Sequence, residues 1–255
     1  MNRTSVLSLL ASVLCASALA AQDRDFYQLR TYQLNSPEKA AAFDTMMAAA
    51  IPVLNKAGVS PVGVFKGKRG KDGDPNWRHV LSAAKSLDTF AEARTALASD
   101  EAFLEAAGPY LSYGKKDPAY ARISGSTFIA FEGVPKLVAP APDPGGERFY
   151  ELRIYESHSE LKAFMKVAMF NDGELDIFAD SKLRGVFFGS ALSGDKLPNL
   201  TYMLVYDNEA EYKTVWDSFR KAPAWQAMKT DPKYADTVSR ITSLFLVPTD
   251  YSGLK

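Results

Sequence analysis

Phe26-Tyr27-Gln28-Leu29-Arg30-Thr31-Tyr32 returns as Phe149-Tyr150-Glu151-Leu152-Arg153-Ile154-Tyr155. A heptapeptide that recurs at domain spacing means that the chain carries one fold twice. Alternation at a period of two makes each copy a strand, with Phe, Gln or Glu, Arg and Tyr on one face and Tyr, Leu and Thr or Ile on the other. One face therefore holds charge where a sheet usually packs, and that face is the first place to look for a site.

Working outward, the first copy predicts strand 26–33, helix 37–57, strands 60–68 and 76–84, a broken helix over 86–106 and a last strand near 126–133. Ser36-Pro37-Glu38 supplies an N-cap, a first-turn proline and an acidic first turn, and Gly58 stops the helix. Phe43, Met46, Met47, Ile51 and Leu54 recur at three- and four-residue steps, so that helix lays one face on the sheet. The second copy predicts strand 148–155, helix 158–181, strands 184–190 and 200–206, helix 208–228 and strand 241–247. Gly63-Val64-Phe65 answers to Gly185-Val186-Phe187, and Asp117-Pro118 to Asp231-Pro232.

Between the copies, Pro135, Pro140, Pro142, Pro144, Gly145 and Gly146 predict an extended linker. The domains are then 21–134 and 148–255, joined by 135–147. Each copy has the βαββαβ order of a ferredoxin-like unit, an α+β fold with both helices on one side of an antiparallel sheet. The other sheet face would meet water, and the economical cover is the second copy's sheet, giving a barrel-like enclosure with helices outside.

Composition bounds the rest. Asn2-Arg3, the apolar run Val6–Leu19 and Ala18-Leu19-Ala20 form a secretory signal peptide over 1–20, too short to span a bilayer, cleaved after Ala20 or alternatively after Ala21. Acylation at Cys15 is the lesser alternative, because Leu14 is bulkier than lipoprotein processing prefers. The expected location is periplasmic or secreted, with no membrane span after cleavage. Cys15 is the single cysteine and lies within the leader, so the mature chain has neither a disulfide nor a thiol nucleophile. With 30 basic and 30 acidic residues there is no electrostatic case for a nucleic-acid partner; a small molecule is the expected partner, and homo-oligomerisation is allowed.

The Phe-Tyr-Glu-Leu-Arg-Ile-Tyr opening at 149–155, its relative at 26–32, Gly-Val-Phe in each second strand, Tyr202-Met203-Leu204-Val205-Tyr206-Asp207, and Trp216, Phe219 and Trp225 on the following helix resemble the NIPSNAP family of the dimeric α/β-barrel superfamily. The resemblance covers nearly the whole mature chain, more closely in the second copy. Gln28 departs from the usual Glu, and His79-Val80-Leu81-Ser82-Ala83 replaces the aromatic third strand. The resemblance implies a barrel with an interior cavity and no defined reaction; superfamily relatives include cofactor-free oxygenases, haem enzymes and small isomerases.

With Tyr27, Leu29 and Thr31 against the helices, Gln28, Arg30, Tyr32, Glu151, Arg153 and Tyr155 point into the barrel. There they serve either as an ion-pair network that registers the sheets or as ligand anchors. Tyr202 and Tyr206 in the second copy, set against Trp77 and His79 in the first, add walls. The ligand-binding set is thus Arg30, Tyr32, His79, Glu151, Arg153, Tyr155, Tyr202 and Tyr206, around a small apolar or aromatic molecule. The alternatives are a cofactor-independent oxygenase or isomerase in which His79 or a tyrosine deprotonates the ligand, haem held by His79, and a structural partner-binding protein. Neither histidine has metal-ligand spacing, so no metal and no cofactor are assigned. Asn171–Asp176 has its glycine at the wrong step for a calcium loop, and Lys66–Asp74 lacks the P-loop pattern and reads as a hairpin turn.

Overall fold

The computed structural model describes residues 24–68 and 74–255. The leader over 1–20 and the tip of the Lys66–Asp74 turn lie outside the described residues. The first half runs β1 (Phe26–Leu34), α1 (Pro37–Lys56), β2 (Val62–Gly67), β3 (Trp77–Ala84), α2 (Leu87–Ser99), α3 (Glu101–Leu111) and β4 (Tyr120–Ala130). The second runs β5 (Phe149–Glu156), α4 (Glu160–Met169), α5 (Leu175–Asp180), β6 (Arg184–Ser193), β7 (Asn199–Tyr206), α6 (Glu209–Lys221), α7 (Pro223–Met228) and β8 (Arg240–Pro248). No helix among the described residues is long and apolar enough to cross a membrane.

The repeat extends to the caps. Ser36 and Ser159 accept from the backbone N–H three residues on, as do Ser86 and Asn208 at the second helices. Gly58 follows α1 with φ +88°, a left-handed turn that a Cβ would strain. The long helix expected over 158–181 is interrupted at Phe170–Glu174, where Gly173 has φ 149°. β4 starts well before the expected 126, because Tyr120–Gly125 pairs with β1 although this stretch is largely exposed and polar.

Each half forms the sheet β4-β1-β3-β2 or β8-β5-β7-β6, and the two join edge to edge. Phe65 to Gly67 pairs with Leu246 to Pro248, and Thr127 to Ala130 with Gly189 to Ser193, which closes an eight-stranded barrel and leaves no free edge. Three apolar clusters result, one between each sheet and its helices and one inside the barrel.

Tyr27, Phe65, Phe128, Tyr150, Phe187 and Met203 fill one end of the interior, backed by Leu137 of the interdomain segment and Leu254 of the C-terminal tail. That segment has no helix or strand but is not a free spacer. Its Pro135 carbonyl accepts from Asp25 N, its Val138 N–H donates to Val186 O, and Asp143 holds the N–H groups of Gly145 and Gly146. The tail is tied by Gly253 N–H to Val62 O at 2.9 Å and by Arg148 Nη1 to Lys255 O at 2.6 Å.

The face assignment of the opening strands is the reverse of the sequence expectation. Tyr27, Leu29, Tyr150 and Leu152 belong to the interior cluster. Tyr32 packs on Phe43 of α1, and Tyr155, Tyr202 and Tyr206 lie in the cluster under the second half's helices. Alternation fixes which residues share a face but not which face turns inward, and here both faces are covered, so burial does not choose either. The third strands also pair one residue out of the expected step. Arg30 sits opposite Val80 as Arg153 sits opposite Tyr202, so Val80, not His79, answers to Tyr202.

Under the second half's helices the charged residues form a closed network. Glu151, 1% exposed, accepts from Arg153 Nη1 at 2.5 Å, from the Tyr206 hydroxyl at 2.9 Å and from Trp216 Nε1 at 3.0 Å. Arg153 Nη2 donates to the Tyr155 hydroxyl at 3.2 Å, which lies 3.0 Å from that of Tyr202, and the guanidinium sits 4.8 Å from the Trp216 ring centre. Burial, then the neighbouring Glu151 charge, pushes the Tyr206 phenol well up, which keeps it a donor. Lys166 and Glu174 form a second buried pair at 2.6 Å. Glu151, Arg153, Tyr155, Tyr202 and Tyr206 are therefore packed polar core and not walls of the barrel cavity.

Removing Glu151 leaves a largely buried guanidinium without its counter-charge and the Tyr206 hydroxyl without its acceptor, while Trp216 Nε1 keeps the Tyr206 oxygen at 2.7 Å. Glu151→Ala is expected to lower stability by about 3 kcal/mol, a melting shift of roughly 10 °C for a protein of this size. Glu151→Gln, which keeps an acceptor, costs less. A thermal melt of Glu151→Ala within one degree of the parent would show that the network carries no stability.

Candidate functional site

The barrel is filled at one end only. At the other, the inward positions carry small residues: Thr31 on β1, Ser124 and Ser126 on β4, Thr201 on β7 and Thr242 on β8. They leave a cavity of about 730 Å³, floored by Leu29, Phe128, Ile154 and Leu244, with Trp77 also in its wall. Asp74, Asp195 and Lys196, from the turns outside the strands, are its charged lining residues. The lining is thus apolar below and hydroxyl-bearing above.

His79 is the one member of the expected ligand set that lines this cavity. The β1–β3 register places it opposite Thr31, and its Nδ1 lies 3.0 Å from Thr31 Oγ1. The residue is 1% exposed, and its Nε2 has no hydrogen-bond partner among the described residues. Burial first, and the charge of neighbouring Arg78 second, lower its pKa from 6.5 to about 4. At neutral pH it is an uncharged imidazole. With Nδ1 engaged by Thr31, Nε2 accepts or donates one further hydrogen bond according to tautomer.

Arg30 and Tyr32 are also outside the barrel. They line a separate cavity of about 350 Å³ between the first half's sheet and its helices. His158 is exposed at the start of α4. The Asn171–Asp176 stretch uses its acids internally, Asp172 with Lys233 and the Tyr234 hydroxyl at 2.7 Å each and Glu174 with Lys166. Among the described residues no group of three His, Cys, Asp or Glu side chains could hold a metal ion.

Thr31, Ser124, Ser126, Thr201 and Thr242 were not singled out from sequence. A signal existed in the strands: a run of small hydroxyl residues at alternate positions, as in Ser124-Gly125-Ser126, cannot fill a barrel and so marks where it is open.

Comparison with known proteins places the fold. None of the curated proteins matches the chain significantly in sequence. Among solved structures it is similar to a candidate monooxygenase from Lactobacillus acidophilus, at 12% identity over 88% of this chain and 94% of that one, TM-score 0.58. Another candidate monooxygenase, from Fusobacterium nucleatum, is similar at 10% identity over 91% and 93%, TM-score 0.59. A NIPSNAP domain protein from Burkholderia xenovorans is 22% identical over 40% of this chain and 95% of its own, TM-score 0.36. The first two likenesses give the fold, a dimeric α/β barrel made within one chain. The NIPSNAP profile matches residues 27–115 and 150–253, one segment in each copy, and the chain belongs to the NIPSNAP family.

Proposed function

We propose that this is an exported binding protein that takes a small, uncharged, largely aromatic or apolar molecule into the open end of its barrel. The observation that carries the reading is His79, buried in the wall of a cavity with one ring nitrogen unpartnered. A buried polar atom without a partner calls for one, and a ligand in the cavity supplies it. The volume of about 730 Å³ lies within the range of small-molecule sites. The hydroxyls of Ser and Thr suit a few neutral polar groups on an otherwise apolar body. Export rests on the basic start, the apolar run and the Ala18-Leu19-Ala20 cleavage signal.

The alternative reading, a cofactor-independent oxygenase or isomerase, has on its side that two similar structures are named as candidate monooxygenases. It asks His79 to abstract a proton. An imidazole whose pKa is held near about 4 is a weak base at neutral pH, since catalytic efficiency peaks when the pKa lies close to the working pH. Binding is therefore placed first, and no cofactor enters the proposal.

The test uses the mature protein and N-phenyl-1-naphthylamine, a neutral aromatic amine that brightens in apolar surroundings. Saturable binding is expected, weakened at least tenfold by Thr201→Phe or Ser126→Leu, each of which puts bulk into the cavity. Unchanged binding by both variants, with melting temperatures retained, would place the probe elsewhere and remove the barrel site.

A second prediction concerns pH. His79 titrates near about 4 when folded and near 6.5 when unfolded, so between these values the unfolded chain binds more protons and stability rises with pH. The contribution is complete above 6.5 and is lost as pH falls through 4, in total on the order of 3 kcal/mol. Urea midpoints between pH 4 and 7 should climb more steeply for the parent than for His79→Asn. Parallel curves would mean that the imidazole is not held neutral by burial.

A further inference from the structure

We propose that the first half holds a second ligand site, between its sheet and its helices, for a molecule with an aromatic or apolar body and a carboxylate head. It is independent of the barrel site and stands on where the two copies differ. The strand registers and helix caps align them residue by residue. Opposite Phe26 and Arg30 stand Ala84 and Val80, where Phe149 and Arg153 face Tyr206 and Tyr202. Counted from the N-caps Ser86 and Asn208, Arg94 occupies the place of Trp216. Gln28 occupies the place of Glu151. Three large aromatic side chains and one carboxylate are thus missing from the first half, and their absence coincides with the cavity of about 350 Å³ there.

What fills the second half describes what fits the first. In the second half Arg153 is neutralised by Glu151 and covered by the Trp216 ring. In the first, among the described residues, Arg30 donates only to Gln28 Oε1, at 3.2 Å, and Arg94 has no ion pair. Both guanidiniums line the cavity and are exposed, so they stand at its lip. The remaining lining is almost wholly apolar, including Met46, Met47, Leu54, Val80, Phe90 and Phe103. A carboxylate matches the planar fork of a guanidinium in two parallel hydrogen bonds, and no lining residue supplies one. A ligand that brings a ring and a carboxylate restores to this layer what Trp216, Tyr202 and Glu151 give the other. A neutral ligand would fill the space and leave both cations unmatched.

The experiment is calorimetric titration of the mature protein with 2-naphthoate and with its methyl ester, which has the same ring and no charge. The acid is expected to bind at least tenfold more tightly. Arg94→Gln should weaken the acid severalfold and leave the ester unchanged, and added salt should act in the same direction. Arg94→Trp and Val80→Tyr, alone and together, rebuild the second half's packing and should remove binding of the acid, and of any ester still bound when Thr201→Phe blocks the barrel, while preserving the melting temperature. Thr201→Phe, which blocks the barrel, should leave 2-naphthoate binding intact, so failure here and failure of the barrel site are read separately. Equal affinity for acid and ester in Thr201→Phe, no binding of the acid, or its loss in Thr201→Phe with retention in Arg94→Trp and Val80→Tyr would each overturn the proposal.

Discussion

A four-stranded sheet with helices on one side has a second face to bury, and the whole molecule follows from how that face is covered. One ferredoxin-like unit cannot do it. Two units closed edge to edge through β2–β8 and β4–β6 turn the uncovered faces into a shared interior and remove the sheet edges together. Closure also explains why the segment between the copies and the C-terminal tail are pinned. Leu137 and Leu254 cap the filled end of the interior, and a loose linker would expose it.

Closure fixes the interior volume, and side-chain size then decides where it stays open. Tyr27, Phe65, Phe128, Tyr150 and Phe187 occupy one end with ring contacts such as Tyr27–Phe187 at 5.1 Å and Phe65–Tyr150 at 4.9 Å. Serine and threonine at the other end cannot. The same arithmetic applies in the outer layers. Tyr202, stacked on Phe188 with ring centres 5.4 Å apart, fills in the second half what Val80 leaves vacant in the first. Each cavity is therefore a local deficit of side-chain volume in a framework closed by the pairing of the two halves.

The repeat, the element order and the pairing of halves were legible in the sequence, because caps, hydrophobic periods and the duplicated heptapeptide are local signals. The inward face was not. In β1 and β5 both faces are covered, so Arg30 and Tyr27 had equal claims to the interior until the helices were placed. The error moved seven of the eight expected ligand residues out of the barrel and kept His79; the two residues that follow it, Val80 and Leu81, are apolar on opposite faces of the strand and so hid its parity too. The step between His79 and Tyr202 slipped by one because β3 and β7 have little sequence in common. Pairing with β1 and β5, a non-local relation, was needed to set it.

The two cavities differ in charge as well as in place, and this separates what each can hold. In the barrel His79 is kept neutral by burial and faces hydroxyls, and the charged lining residues Asp74, Asp195 and Lys196 stand on turns outside the strands, so an ionised group among the strand residues would lose its hydration without an opposite charge beside it. In the first half's outer layer the cations are already on the protein, and Gln28 stands where the second half has the carboxylate of Glu151. Duplication supplied two equivalent layers. The two copies differ at these places: Gln28, Val80, Ala84 and Arg94 leave one layer with a space and unpaired cations at its lip, while Glu151, Tyr202, Tyr206 and Trp216 fill and neutralise the other.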